Sequence, residues 1–360
     1  MTTMDDYVTL GRSGLRVSPL TLGAMTFGED WGWGADAATS HRLLETYLDA
    51  GGNSIDTANA YTNGHSEAML GDWLTGHSSR RDRLVLGTKF FCNLHAGDPN
   101  GGGAGRKSIL DQLEQSLRRL QTDYVDIYWL HQWDRTTPIE ETLRTLDDIV
   151  RAGKVRYLGF SDLPTWVASK AQTIADLRTL TPAVGFQLEY SLLERTVEQE
   201  YLPMCSALGM GVMSWSPLRN GLLSGKYRRG QDEPEGPARG SILGGPDEHE
   251  WDTIEAVATL AEEMGAPPAA VAHAWVVGNP SIASMIIGAR TAEQLASNLA
   301  VPELVLTTEQ RDRLDAVSTP VLNFPDSHTP LLGDLQYAGA TVDGLDTEVN
   351  WQLRTDPTRY

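Results

Sequence analysis

Eight times along this chain a short apolar segment of strand character is followed by a stretch of helical spacing. That alternation restricts the fold more than any other feature of the sequence. The strand segments are Pro19–Gly23, Asn53–Thr57, Leu84–Lys89, Tyr124–His131, Lys154–Ser161, Ala183–Tyr190, Met210–Trp215 and Ile282–Gly288. Between them, Ala37 to Ala50 and about His65 to Leu74 read as helices. Leu110, Leu113, Leu117 and Leu120 then recur at helical spacing, as do Ile139, Leu143, Leu146 and Val150, and Pro164 stands at a helix start. Each crossover helix returns the chain to the same end of the sheet, so the strands are parallel. Eight such units in 360 residues favour a closed (β/α)8 TIM barrel, although length alone would allow two domains. An open dinucleotide-binding sheet is the competing architecture, but no Gly-x-Gly-x-x-Gly follows the first strand.

Outside the repeating units, Tyr7–Leu10 and Leu15–Val17 flank Gly11-Arg-Ser-Gly14 and read as an N-terminal β-hairpin. The run Gly101–Gly105 has no strand ending at it and reads as a flexible loop rather than a phosphate cradle. Asp232–Gly245, rich in Pro, Gly and acid, reads as an exposed loop, and Thr307–Val317 as one more helix. The expected organisation is a barrel with its hairpin over residues 1–318 and an extended C-terminal tail over 319–360. That tail keeps Leu322, Phe324, Leu332 and Trp351 among Pro, Gly and Asp, a composition suited to an irregular segment docked on a preformed surface. It is expected either over the catalytic mouth, lining part of the substrate pocket, or on the barrel's outside or a partner subunit.

Composition narrows the function classes. A formal charge of −19 opposes nonspecific association with nucleic acid or an anionic membrane. Two cysteines, Cys92 and Cys205, neither require a disulfide framework nor offer a zinc spacing, so no metal is expected. Met1–Tyr7 carries two acids and no apolar segment, and no apolar run approaches the eighteen or so residues of a membrane span. A reduced, cytoplasmic, soluble protein is the expectation; its oligomeric state is not readable.

Four side chains fall at consecutive strand ends. Asp56 and Tyr61 follow the second strand, Lys89 ends the third and His131 the fourth. In a barrel these ends share one face. Taken singly, Asp56 is a turn former or helix cap, Tyr61 and His131 packed rim residues, and Lys89 half of a structural ion pair. Together they complement one another. Lys89 needs a carboxylate inside the rim, which Asp56 supplies. An ammonium beside a phenol stabilises the phenolate and should lower the pKa of Tyr61. A neutral His131 can orient a carbonyl oxygen. The set can give a proton to a developing alkoxide, which is half of a carbonyl reduction, and it holds no hydride source of its own.

The chain resembles the aldo-keto reductases from about Val8 to Asn298. The motifs that carry the likeness are Leu-Gly-Ala-Met-Thr-Phe-Gly at 22–28, Ile-Asp-Thr-Ala-Asn-Ala-Tyr at 55–61, Gly-Thr-Lys at 87–89 and Ile-Tyr-Trp-Leu-His at 127–131. Gly-Phe-Ser-Asp (159–162), Gln-Leu-Glu-Tyr (187–190), Trp-Ser-Pro-Leu-Arg-Asn-Gly-Leu-Leu-Ser-Gly-Lys (215–226) and Ile-Ile-Gly-Ala-Arg (286–290) follow in order. The branch it is most similar to is shared by potassium-channel β-subunits and bacterial or fungal aryl-alcohol and sugar ketone reductases. The resemblance implies reversible, NADPH-dependent reduction of a small aldehyde or ketone, with Tyr61 as proton donor, Lys89 and Asp56 tuning it and His131 orienting substrate. It also implies a cofactor site. Gly23, Ala24 and Met25 border it with Asp56; Trp215 stacks on the nicotinamide; Ser161, Asp162 and Gln187 meet its carboxamide. The family usually has Asn or Arg where Asp162 stands. Ser216, Pro217, Leu218, Gly221, Ser224 and Lys226 match the pyrophosphate loop. Gly288, Arg290, Gln294 and Asn298 match the last anion site, with Arg290 and, from across the site, Arg239 toward a 2′-phosphate. Trp31, Trp33, Phe91 and Trp133, beside Tyr61 and His131, are candidates for the substrate lining. The alternative implied by the same branch is a cofactor-binding regulatory or scaffold subunit with little turnover.

Overall fold

The computed structural model describes residues 3–230 and 246–349. The chain divides into two compact units, Met1–Thr319 and Pro320–Tyr360. Arg239, the Asp232–Gly245 segment and Trp351 lie outside the described residues.

In the first unit a two-stranded antiparallel hairpin, β1 (Val8–Thr9) and β2 (Arg16–Val17), precedes a closed barrel of eight strands. These are β3 (Leu20–Gly23), β4 (Ser54–Asp56), β5 (Val85–Phe90), β6 (Val125–Leu130), β7 (Val155–Ser161), β8 (Ala183–Glu189), β9 (Gly211–Trp215) and β10 (Ile282–Ile287). Every neighbouring pair is parallel, and β10 closes on β3. Helices α1 (Ala37–Asp49), α2 (His65–Gly76), α3 (Arg106–Leu120), α4 (Ile139–Arg151), α5 (Thr165–Arg178) and α6 (Tyr201–Leu208) follow the first six barrel strands. Two helices, α7 (Glu248–Met264) and α8 (Pro268–Val277), lie between β9 and β10, where one had been expected. Then come α9 (Ala292–Leu299) and α10 (Thr308–Ser318). No helix among the described residues is long and apolar enough to cross a membrane.

The strands form where the residues can be buried on both faces. All six residues of β5 are buried, as a parallel strand between barrel lumen and outer helices requires. The helices present one apolar stripe inward: Leu143, Leu146 and Ile149 of α4 are buried while Glu141, Arg144 and Asp148 face solvent. Asp36 starts α1 by accepting a hydrogen bond from Thr39 N at 2.7 Å.

Period-two alternation decides what points into the lumen. The hydroxyls of Thr21, Ser54 and Ser284 meet in a chain of 2.7 Å contacts, a polar layer shared by three neighbouring strands. Trp129 fills a slot built by glycines. A Cβ on Gly87, Gly159 or Gly185 would stand 2.8, 2.1 or 2.9 Å from its indole. The hairpin closes the end where the strands begin: Leu10 packs by Gly185 and Gly211, and Arg12 N donates to Gly209 O at 2.8 Å. Gly159→Ala is therefore expected to lower unfolding stability by about 1–3 kcal/mol, because the indole has nowhere to move. Gly14→Ala, with open space around the added methyl, should stay within about 0.5 kcal/mol of the parent in the same denaturant titration.

Two expectations need correction. The Gly101–Gly105 run is held rather than loose: Gly103 N donates to Phe91 O at 2.7 Å and Ala104 N to Asp134 at 2.9 Å. A Cβ on Gly102 would sit 2.8 Å from Phe91 O, so these glycines permit close backbone approach and brace the segment after β5. The tail is also not wholly irregular. The second unit contains a short helix, α11 (Thr329–Tyr337), interrupted in its sequence signal by Pro330 and Gly333.

Candidate active site

Lys89 and Asp56 are brought together by strand register. Asp56 ends β4 opposite Gly87 of β5, so Lys89, two residues on, points to the same side of the pleat. The ladder continues past the strand, with Thr57 N donating to Gly87 O at 2.9 Å and Asn59 N to Lys89 O at 3.0 Å. Lys89 is only 2% exposed, and its Nζ donates to Asp56 Oδ2, to Thr57 O at 3.1 Å and to Tyr61 Oη at 3.0 Å. All three ammonium donors thus have acceptors, which is what a buried lysine needs to stay charged. The other oxygen of Asp56 accepts from Gln187 Nε2 at 2.6 Å.

Tyr61 is placed by a pinned turn. Thr62 and Asn63 adopt left-handed backbone, with φ of 46° and 57°. Thr62 Oγ1 donates to Phe27 O at 2.8 Å, and Ser66 Oγ donates to Ala24 O at 2.7 Å. The segment Gly23–Gly28, carrying Ala24 and Met25, therefore holds the tyrosine turn from below. His131 follows β6, its N donating to Phe90 O at 3.1 Å, and its ring centroid lies 6.0 Å from that of Tyr61 at an edge-on angle of 81°. Among the described residues, His131 Nδ1 is buried without a partner.

Burial dominates the electrostatics here. It pushes the Tyr61 phenol above its ordinary value, with Lys89 opposing and Asp56 adding to the rise. The expected net depression of this phenol is not seen, because removing the phenolate from water outweighs the neighbouring ammonium. Tyr61 is accordingly a neutral phenol that carries its proton. Burial works to discharge Lys89, but Asp56 and Tyr61 carry its pKa above the ordinary value. Burial and then Lys89 hold His131 down to about 3, so the imidazole is neutral.

A second group surrounds Trp215 at the end of β9. Its indole Nε1 donates to Asp162 Oδ1 at 3.2 Å. Asp162 lies just past Ser161, the last residue of β7, with φ of 52° and its own N donating to Gln187 O at 3.3 Å. Burial raises its carboxyl to about 6 against the pull of Trp215, Ser161 and Lys89. Ser216, Arg219, Asn220 and Gly221 all have positive φ, a turn that also contains Pro217 and Leu218. Ser216 Oγ accepts from Asn220 N at 3.3 Å, and Ser224 Oγ donates to Gly221 O at 2.6 Å. Lys226, at the turn's end, is exposed. Arg219 was not singled out from sequence; it pairs with Glu189 at 2.8 Å and ties this turn to the end of β8. Only the register between the neighbouring strands β8 and β9, which sets Glu189 opposite Trp215, could have revealed it.

The β10–α9 turn gathers Gly288, Arg290, Gln294 and Asn298. Arg290 N donates to Gln294 Oε1 at 2.9 Å, and Asn298 Nδ2 to Gly288 O at 3.2 Å. Of the aromatic candidates, Trp31 lies 5.4 Å from Trp33 and 6.5 Å from Tyr61, ring centre to ring centre. Phe91 is braced at the base, its N donating to Gln112 Oε1 at 2.8 Å. Trp133 meets Trp166 edge-on at 5.3 Å. Trp166 was missed from sequence; an indole 61% exposed at the start of α5 was its only signal, and exposure is not visible there.

A family model described as the aldo/keto reductase family matches residues 19–319. The chain belongs to the aldo/keto reductase family. This aldo/keto reductase is 40% identical over 313 residues to an "Uncharacterized oxidoreductase YrpG" of Bacillus subtilis, covering 84% of this chain and 93% of the relative. It is 35% identical over 321 residues to a "Norsolorinic acid reductase" of Aspergillus flavus, covering 87% of this chain and 81% of the relative. It is also 35% identical over 324 residues to a "Probable voltage-gated potassium channel subunit beta" of Oryza sativa, covering 86% and 96% respectively. Family membership makes it an oxidoreductase acting on carbonyl groups, from a family that generally uses a nicotinamide cofactor. The residues present fit such a group. The left-handed Ser216–Gly221 turn, the cations Lys226 and Arg290, and the partly buried face of Trp215 offer donors for an anion and a platform for a ring.

Proposed function

We propose that this reductase converts an aldehyde or ketone to its alcohol, reversibly, with NADPH as reductant and Tyr61 as proton donor. The observation that carries the reading is the buried Lys89 ammonium, shared between Asp56 and the Tyr61 hydroxyl 3.0 Å away. When bound, the nicotinamide supplies the hydride to the carbonyl carbon. Tyr61 gives its proton to the carbonyl oxygen, and Lys89 steadies the phenolate left behind. Asp56 keeps Lys89 charged and aimed, while its second oxygen holds Gln187. Neutral His131 has a ring nitrogen to spend on a substrate oxygen and no charge to lose at working pH. Trp31, edge-on to Tyr61 and packed against Trp33, would form the aromatic side of the substrate pocket.

A screen of carbonyl compounds followed by NADPH absorbance tests the reading. Turnover of at least one class supports it. Cofactor binding with negligible turnover across all classes would favour the alternative, a regulatory subunit, toward which the likeness to the rice channel subunit points. For cofactor choice, Arg290 is the residue proposed to meet the 2′-phosphate, with Arg239 as a second. A charge-assisted contact contributes about 1.5–3 kcal/mol, so NADPH should be preferred over NADH by roughly tenfold to a hundredfold. Arg290→Ala is expected to erase most of that preference in paired Kd measurements. Equal affinities in the parent, or an unchanged ratio in the variant, would refute the assignment.

A further inference from the structure

Among the described residues, Asp162 forms no ion pair, although it follows a barrel strand directly. Asp56 has Lys89, and Glu189 has Arg219. Among the described residues, the polar neighbours that reach the Asp162 carboxyl are the indole N–H of Trp215 and the Ser161 hydroxyl. An Asn would accept the same indole hydrogen bond, so the carboxyl is not needed to hold Trp215. What Asp162 adds over Asn is a charge that can be present or absent.

The consequence rests on the proposed nicotinamide site at Trp215. A nicotinamide ring carries a positive charge when oxidised and none when reduced. An ionised carboxylate bonded to the platform indole attracts the first and is indifferent to the second. We propose that Asp162 sets the relative affinity of this site for oxidised and reduced cofactor, favouring the oxidised form when ionised and losing that bias when protonated.

The groups around Asp162 leave it as the titrating member. Lys89 of β5 and Glu189 of β8 act on it in opposite directions, the ammonium favouring ionisation and the acid opposing it. Lys89 is held in its charged form throughout the neutral range. Tyr61 and Tyr201 of α6 also feel its charge, and burial keeps both phenols protonated there. His131 is neutral above about 3. Glu189 is itself raised by burial and partly restored by Arg219, so it needs its own control. With the Asp162 carboxyl at about 6, the bias should be weak below that pH and full above it.

The test measures Kd for NADP+ and NADPH by quenching of intrinsic tryptophan fluorescence between pH 5 and 8. The ratio of the two constants is the readout, because the 2′-phosphate, common to both forms, cancels. In the parent protein the ratio should move toward NADP+ by roughly tenfold or more as pH rises through 6, the scale of one partly screened charge pair. Asp162→Asn should give a flat ratio resembling the parent's at low pH, and Glu189→Gln should keep the pH dependence. A flat parent ratio, or an Asp162→Asn ratio equal to the parent's at pH 8, would overturn the proposal. The parent arm needs no variant to fold. If neither cofactor quenches fluorescence at any pH, the nicotinamide site itself is wrong and the proposal falls with it. If both bind and only the ratio is insensitive, the site stands and the role of Asp162 does not.

Discussion

Tyr61→Phe is expected to lower the rate of carbonyl reduction by ~10²–10⁴-fold, the usual loss when one well-placed general acid is removed. Phe retains the ring that Trp31 meets edge-on and removes only the oxygen that accepts from Lys89. The turn should hold its place, since Thr62 and Ser66 pin it through Phe27 and Ala24 rather than through the phenol. NADPH affinity should therefore stay near the parent value, and the loss should fall on kcat rather than on cofactor Kd. Water would still donate, slowly, which sets the residual rate. Turnover within a few-fold of the parent would remove Tyr61 as the acid and return it to the packed rim. Because burial holds the phenol protonated, the parent should also not lose its donor until well into the alkaline range. A loss of reduction on a basic limb near neutrality would point to a different acid.

The second large effect is expected at Lys89. Lys89→Met removes the cation between Asp56, Thr57 O and Tyr61, and leaves a buried carboxylate with Gln187 as its remaining neighbour. Breaking a buried pair from one side typically costs about 3–5 kcal/mol, so both stability and rate should fall. The rate falls because nothing then offsets burial of the phenolate. The double variant Lys89→Met with Asp56→Asn separates the two effects: stability should largely return, because no charge is left unpaired, while the rate should not. Recovery of both would mean that Lys89 serves the fold alone. The sign of the linkage follows from its raised pKa in the folded chain. Its contribution to stability is complete below the ordinary lysine value and is lost as pH rises through the folded one, so the parent should weaken only in the alkaline range.

The barrel and the residue types at its mouth were legible in the sequence because both are local signals. Strand and helix periods repeat within ten to twenty residues, and a strand end is visible as the point where apolar residues stop. Asp56, Tyr61, Lys89 and His131 could be assembled from that alone, since parallel strands in a closed barrel bring their ends to one face. The strands end one residue before the expected tips at Thr57, His131, Tyr190 and Gly288, although Thr57, His131 and Tyr190 each still donate one hydrogen bond to the neighbouring strand.

What depended on register, burial and closure had to wait for the tertiary structure. The slot for Trp129 is cut by Gly87, Gly159 and Gly185, residues on three strands whose spacing along the chain carries no period. The Arg219–Glu189 pair depends on the register of β8 against β9, and the Gln187–Asp56 bond joins β8 to β4, positions that only barrel closure brings together. The direction of the Tyr61 shift differs from the one its residue neighbours suggest, for a related reason. A nearby ammonium can be inferred from residue types, but the depth of burial that outweighs it is a property of the closed mouth. Sequence pattern thus determined which groups meet; only the packed barrel decided their hydrogen bonds, their protonation and the room each one has.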